Sequence, residues 1–145
     1  MRRSRADLRQ RVNGNLAFRF AHDGLTSHAG LEFLRRHWRV SGFAALLRQH
    51  VGALPRTDFG AARMVLVILA LVISGGRRLR QLRYLDGDPL VLRLCGLTGL
   101  PTARTVGRWL RAFRVRHLPP LHALNAVLVA RAIRATGTRR LTIDV

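Results

Sequence analysis

The chain has 145 residues, 48% of them hydrophobic, and carries 26 basic residues against seven acids for a formal net charge of +19. A chain of that length makes one domain, or one and a part, and buries roughly 68–70% of its unfolded surface, which excludes a wholly disordered protein. A single cysteine, Cys95, excludes a disulfide-stapled fold and reads as a small buried hydrophobe of a reducing cytosol.

Every one of the basic residues is arginine. A GC-rich genome accounts for arginine in place of lysine, but not for the excess of base over acid. So large a charge in one compact body repels itself unless a polyanion answers it. Arginine forks bidentately onto phosphate and stacks on bases, so a nucleic acid is the first partner to consider. An anionic membrane surface and an acidic protein are the alternatives.

Residues 1–14 read as a basic flexible arm ending at the turn pair Asn13-Gly14. Residues 15–136 read as one helical domain. It opens on a short strand, Asn15 to Phe20, where Leu16, Phe18 and Phe20 alternate with polar positions. Thr26 or Ser27 is placed to cap a helix running to about Trp38, with Leu31, Leu34 and Trp38 inward and Arg35, Arg36 and Arg39 in water. Ser41 is placed to cap a second helix to about His50. Asp58 is placed to cap the most apolar one, about Phe59 to Ser74, which Gly75-Gly76 stops.

The stretch Arg77 to Arg116 holds ten arginines and two acids, Asp86 and Asp88. Arg77 to Leu85 reads as a short helical turn with Leu79 and Leu82 inward. Asp88-Pro89 is an N-cap followed by proline at the first helical position, opening a helix to about Cys95 that Gly96 closes. After the loop Thr98–Pro101, Thr102 caps a helix over about Ala103 to Arg116. Pro119-Pro120 opens the last one, to about Ala135, with Leu121, Leu124 and Leu128 inward and Gly137 ending it. Leu141, Ile143 and Val145 then alternate with Thr142 and Asp144, the pattern of a strand over Arg140 to Val145. The expected fold class is mostly α.

On a helical wheel of the Ala103 helix, Arg104, Arg108 and Arg111 fall within about 60° of one another. Val106, Trp109, Leu110 and Phe113 gather on the other side. With the short helix and tight loop before it, the segment has the outline of a helix-turn-helix whose arginine face meets a DNA groove or its phosphates. Arg77, Arg78 and Arg80 are further candidate DNA contacts. Gly107 costs about 1 kcal/mol of helix propensity relative to Ala, which points to close packing or close approach of DNA there.

Other chemistry is poorly provided for. No two histidines stand at the i, i+4 spacing of a helical metal site. Gly75-Gly76 before Arg77-Arg78 is no phosphate loop, because it follows a helix rather than a strand. The apolar run Met64 to Ile73 falls well short of the ~20 residues that cross a bilayer, and Met1 to Arg11 lacks the apolar region of a signal peptide. A cytoplasmic location without a membrane partner is expected.

Several stretches, in order, resemble the N-terminal part of an insertion-sequence transposase family that has a DDE catalytic core of RNase H-like fold. They are Asp23 to Gly30 (DGLTSHAG), the apolar helix ending in Ser74-Gly75-Gly76, Arg80 to Pro89 (RQLRYLDGDP), Leu100 to Phe113 (LPTARTVGRWLRAF) and Leu141 to Val145 (LTIDV). The resemblance covers roughly residues 15–145. It implies a DNA-binding domain over 15–136, residues 137–145 as the start of the catalytic core, and binding of double-stranded DNA at transposon ends. A homodimer stays open.

In the family three carboxylates hold two Mg²⁺ ions that drive strand cleavage and joining. By resemblance Asp144 is the first of the three and a metal ligand. The sequence stops at Val145, before a second Asp and a Glu. A truncated copy or one piece of a longer product is therefore expected, binding DNA but catalysing nothing alone, with no cofactor of its own. The alternatives are a small helix-turn-helix regulator, with Arg140–Val145 paired to Asn15–Phe20, and a basic RNA-binding protein.

Overall fold

The computed structural model describes residues 26–136. The arm 1–14, the strand expected at Asn15–Phe20, Gly137, the strand expected at Arg140–Val145 and Asp144 lie outside them. Within them the chain is all α: α1 (Leu31–Val40), α2 (Phe43–Val51), α3 (Ala61–Ile73), a 3-10 turn (Leu79–Tyr84), α4 (Pro89–Cys95), α5 (Ala103–Arg111), a second 3-10 turn (Val115–His117) and α6 (Leu118–Thr136).

Helices α1 to α4 close a ring in which each packs on the next and α4 returns to α1. Its interior is the apolar stripe that each helix turns inward: Leu31 from α1, Phe43, Leu46 and Leu47 from α2, Met64, Val67, Ala70 and Leu71 from α3, and Leu90, Val91, Leu94 and Cys95 from α4. These belong to one cluster that also takes in Leu82, Val106, Trp109 and Leu124, so a single core serves every element. Burying a side chain of the Leu, Val or Met kind contributes about 1.5–3 kcal/mol, set against the chain entropy lost. α3 is less buried than its composition suggests, for only one stripe faces in and Val72 and Ile73 stay 60% and 49% exposed.

Helix boundaries follow the glycines more closely than the expected polar caps. α1 begins at Gly30, α2 at Gly42 and α3 at Gly60, none with a side-chain cap. Thr26 instead accepts from the His28 N–H at 2.9 Å and donates to Asp88 Oδ2 at 2.7 Å. Ser41 ends α1 rather than starting α2, with its hydroxyl 3.4 Å from the Trp38 carbonyl. Asp58 stands before a non-helical residue and caps nothing at the start of α3.

The stops at Gly75-Gly76 and Gly96 are as expected. Gly75 takes φ +84°. The N–H of Gly76 donates to the Leu71 carbonyl and that of Gly75 to the Val72 carbonyl, the paired bonds of a Schellman turn. A Cβ on Gly76 would stand 2.8 Å from that Leu71 oxygen and overlap the Leu71 side chain, so position 76 is closed to other residues. Asp88 caps α4 by accepting from the N–H groups of Leu90 and Val91 at 2.9 and 3.1 Å, with Pro89 in the first turn.

α5 ends at Arg111, five residues before the expected Arg116. The Arg114 guanidinium donates to the carbonyls of Arg111 and Phe113 at 3.0 and 2.9 Å, while the Arg114 N–H donates to His117 Nδ1 at 2.9 Å. Side-chain partners thus replace the next helical bonds, and the chain turns into α6. α6 lies against α2 through Leu124, with Leu121 and Leu128 partly buried as expected. Arg131 Nη1 donates to the Ser41 carbonyl at 2.9 Å, tying α6 to the α1–α2 corner. No described helix is long and apolar enough to cross a membrane.

Candidate nucleic-acid interface

α5 is fastened to the body by one face. Val106 and Trp109 are buried, Phe113 packs against the core, and the Trp109 and Phe113 rings meet edge to face at 4.8 Å. Trp109 Nε1 donates to the Pro55 carbonyl at 2.8 Å, fixing the helix to the loop between α2 and α3. Leu110, expected on the buried side, is 40% exposed, because the buried arc extends from Trp109 toward Val106 and Phe113 and leaves it at the margin. Thr102 caps the start, its Oγ1 accepting from the Thr105 N–H at 3.2 Å.

The opposite face carries Arg104, Arg108 and Arg111, all exposed, as their spacing requires. Gly107 lies between the two faces. A Cβ there would meet Leu79 Cδ1 at 3.6 Å and Arg111 Nη1 at 3.7 Å, ordinary van der Waals distances, so packing does not demand the glycine.

Leu79 belongs to the first 3-10 turn, which is the main packing partner of α5 and also rests on α3. That turn brings the second group of arginines beside the first. Arg77, Arg78 and Arg80 are exposed on it or just before it. Gln81 Oε1 accepts from the N–H groups of both Arg77 and Arg78, at 2.7 and 2.8 Å, and so holds the arginine-bearing backbone in one shape. A cleft of about 200 Å³ separates the turn from the start of α5, with Arg80, Arg83, Asp86 and Thr102 among its walls. Beside it the Arg83 guanidinium stacks 4.8 Å from the centroid of the exposed Tyr84 ring and donates to its hydroxyl at 2.8 Å.

Acid does little to quench this field. Eighteen of the 26 arginines but four of the seven acids fall within residues 26–136. Among the described residues the ion pairs are Arg35 and Arg36 with Glu32, at 2.7 and 3.8 Å. The Arg35 hydrogen bond, against a smaller opposing effect of burial, holds the Glu32 carboxyl below its ordinary range. At Asp88 burial acts to raise the pKa, but the Thr26 hydroxyl, the Val91 and Leu90 N–H groups and nearby His28 together lower it. Asp58 and Asp86 stand exposed.

Among the described residues no three His, Cys, Asp or Glu side chains come together as a metal site. Asp88 has both oxygens engaged in holding α4 and Thr26, so it does not fit the two-metal carboxylate set that the resemblance attaches to Asp144. Burial pushes the Cys95 thiol up to about 12, and it stays protonated and unreactive at neutral pH. His117 plays a part that the sequence did not announce. It is buried, accepts the Arg114 N–H on Nδ1 and stacks edge-on to Phe113 at 5.7 Å, fixing the exit from α5.

No family model, curated protein or solved structure matches the chain.

Proposed function

We propose that residues 26–136 form a DNA-binding body, and that the chain is the N-terminal, end-binding part of an insertion-sequence transposase. The observation that carries DNA binding is the exposed Arg104, Arg108 and Arg111 face on a helix whose other face is locked by Val106 and Trp109. A helix anchored on one side and lined with bidentate phosphate donors on the other suits a groove or its rims. The adjoining Arg77, Arg78 and Arg80 extend the same positive surface. α4 and residues 96–102 lead into α5, but α5 rests mainly on the 3-10 turn Leu79–Tyr84 rather than on α4, so the expected helix-turn-helix pair is replaced by a helix supported on that turn.

The assignment to a transposase rests on the ordered sequence resemblance, in which Asp144 would be the first metal-binding carboxylate and Mg²⁺ the metal of the complete active site. Three exposed arginines that touch phosphate or guanine edges contribute both affinity and choice of sequence. Changing Arg104, Arg108 and Arg111 together to Ala should abolish any preference among duplexes and lower the salt slope of binding by about 0.9 for each phosphate no longer neutralised. An unchanged preference and slope, or tighter binding to structured RNA than to duplex DNA, contradicts the proposal.

A further inference from the structure

A second arginine cluster lies away from the α5 face. The connection between α2 and α3 borders an open cleft of about 510 Å³ whose walls include Arg48, Arg56, Thr57, Asp58, Phe59 and Arg63. Arg48 comes from α2, Arg56 from the loop and Arg63 from the first turn of α3, so three elements each contribute one guanidinium. All three arginines are exposed. None forms an ion pair with an acid among the described residues, and Asp58 is the one acid on the cleft wall.

Three arginines border one cleft with no acid paired to them among the described residues, and an anion bound between them would offset their mutual repulsion. The cleft has room for a phosphodiester and its neighbours, and it is open as a through-running backbone requires. The cleft loop is joined to α5 on the side opposite its arginines. The Pro55 carbonyl that receives the Trp109 Nε1 hydrogen bond belongs to the residue just before Arg56.

We infer that Arg48, Arg56 and Arg63 form a second phosphate-binding site for the DNA backbone, adding affinity without reading sequence. This inference rests on the proposed DNA-binding function. The cleft arginines meet phosphate alone, whereas Arg104, Arg108 and Arg111 contribute to the choice of site.

The test uses the full chain with Arg48, Arg56 and Arg63 changed together to Gln, titrated with duplex DNA over a range of salt. With three phosphates no longer neutralised, the slope of log K against log salt should fall by about 2.7, at about 0.9 per phosphate, while preference among duplexes stays unchanged. In parallel, a dicarbonyl arginine reagent on the wild-type chain should modify Arg48, Arg56 and Arg63 less when duplex is bound, a readout free of any folding defect in the variant. A steep wild-type slope that the variant retains, without protection of the three arginines, overturns the second site and leaves the α5 interface standing. Protection by inorganic phosphate but not by duplex also overturns it. A wild-type chain that does not bind duplex at all defeats the proposed function itself.

Discussion

The indole nitrogen of Trp109 donates to the carbonyl of Pro55 at 2.8 Å across 54 positions of sequence, and this bond joins the arginine-bearing helix to the α2–α3 loop. Trp109 is also buried against the core, so two effects meet at one side chain. Trp109→Phe keeps an aromatic ring but leaves the Pro55 oxygen without its donor. A net loss of about 1 kcal/mol for the hydrogen bond is expected, and Trp109→Ala should cost about 3–5 kcal/mol through the cavity as well. Urea denaturation of the two variants beside wild type checks both; equal stability of all three would mean that α5 is held elsewhere.

Asp88 gives the fold a calculable response to acid. Its carboxyl caps α4 and accepts the Thr26 hydroxyl, and its folded pKa lies below the ordinary aspartate range. A carboxylate lowered in the folded state stabilises fully above its unfolded pKa, about 3.9, and that contribution is lost as pH falls through the lower folded value. Glu32, lowered chiefly by its bond to Arg35, acts in the same direction. Asp88→Asn retains a good cap without the charge, so its melting temperature should fall less steeply than wild type's below about pH 4. Asp88→Ala should cost about 0.5–2 kcal/mol at neutral pH. An identical acid limb in wild type and Asp88→Asn counts against this role for the carboxylate.

Gly107 separates stability from binding. A Cβ there meets only ordinary contacts with Leu79 and Arg111, and the helix gains from replacing glycine. Gly107→Ala should therefore raise stability by about 0.5–1 kcal/mol in thermal or urea unfolding. A decrease instead would show that the Leu79 side chain cannot accommodate the added methyl.

The parts of this fold legible in sequence are those set by neighbouring residues. Asp88-Pro89, Thr102, Gly75-Gly76 and Gly96 each act within one helical turn, and each delimits a helix where its chemistry says it should. Thr26, Ser41 and Asp58 are equally good caps by type, yet α1, α2 and α3 start at glycines. Thr26 is drawn to Asp88, 62 residues away, a partner no local pattern reveals. The early end of α5 has a similar origin, since Arg114 and His117 offer side-chain bonds that outcompete the next helical turn. For the site, the period of Arg104, Arg108 and Arg111 is visible in sequence because exposure on a helix follows from spacing. The approach of the Leu79–Tyr84 turn to α5, and the meeting of Arg48, Arg56 and Arg63, depend on tertiary packing and are not.

The most direct measurement is a binding titration across salt that compares random duplex DNA with the DNA flanking the gene, where the proposed function would place the transposon ends. If six to ten arginines meet phosphates, affinity should fall about 10³–10⁵-fold between 50 and 200 mM salt, and the flanking DNA should be bound more tightly than random duplex throughout. Equal binding to every duplex would contradict recognition of transposon ends, and a flat salt response would contradict the arginine interface itself.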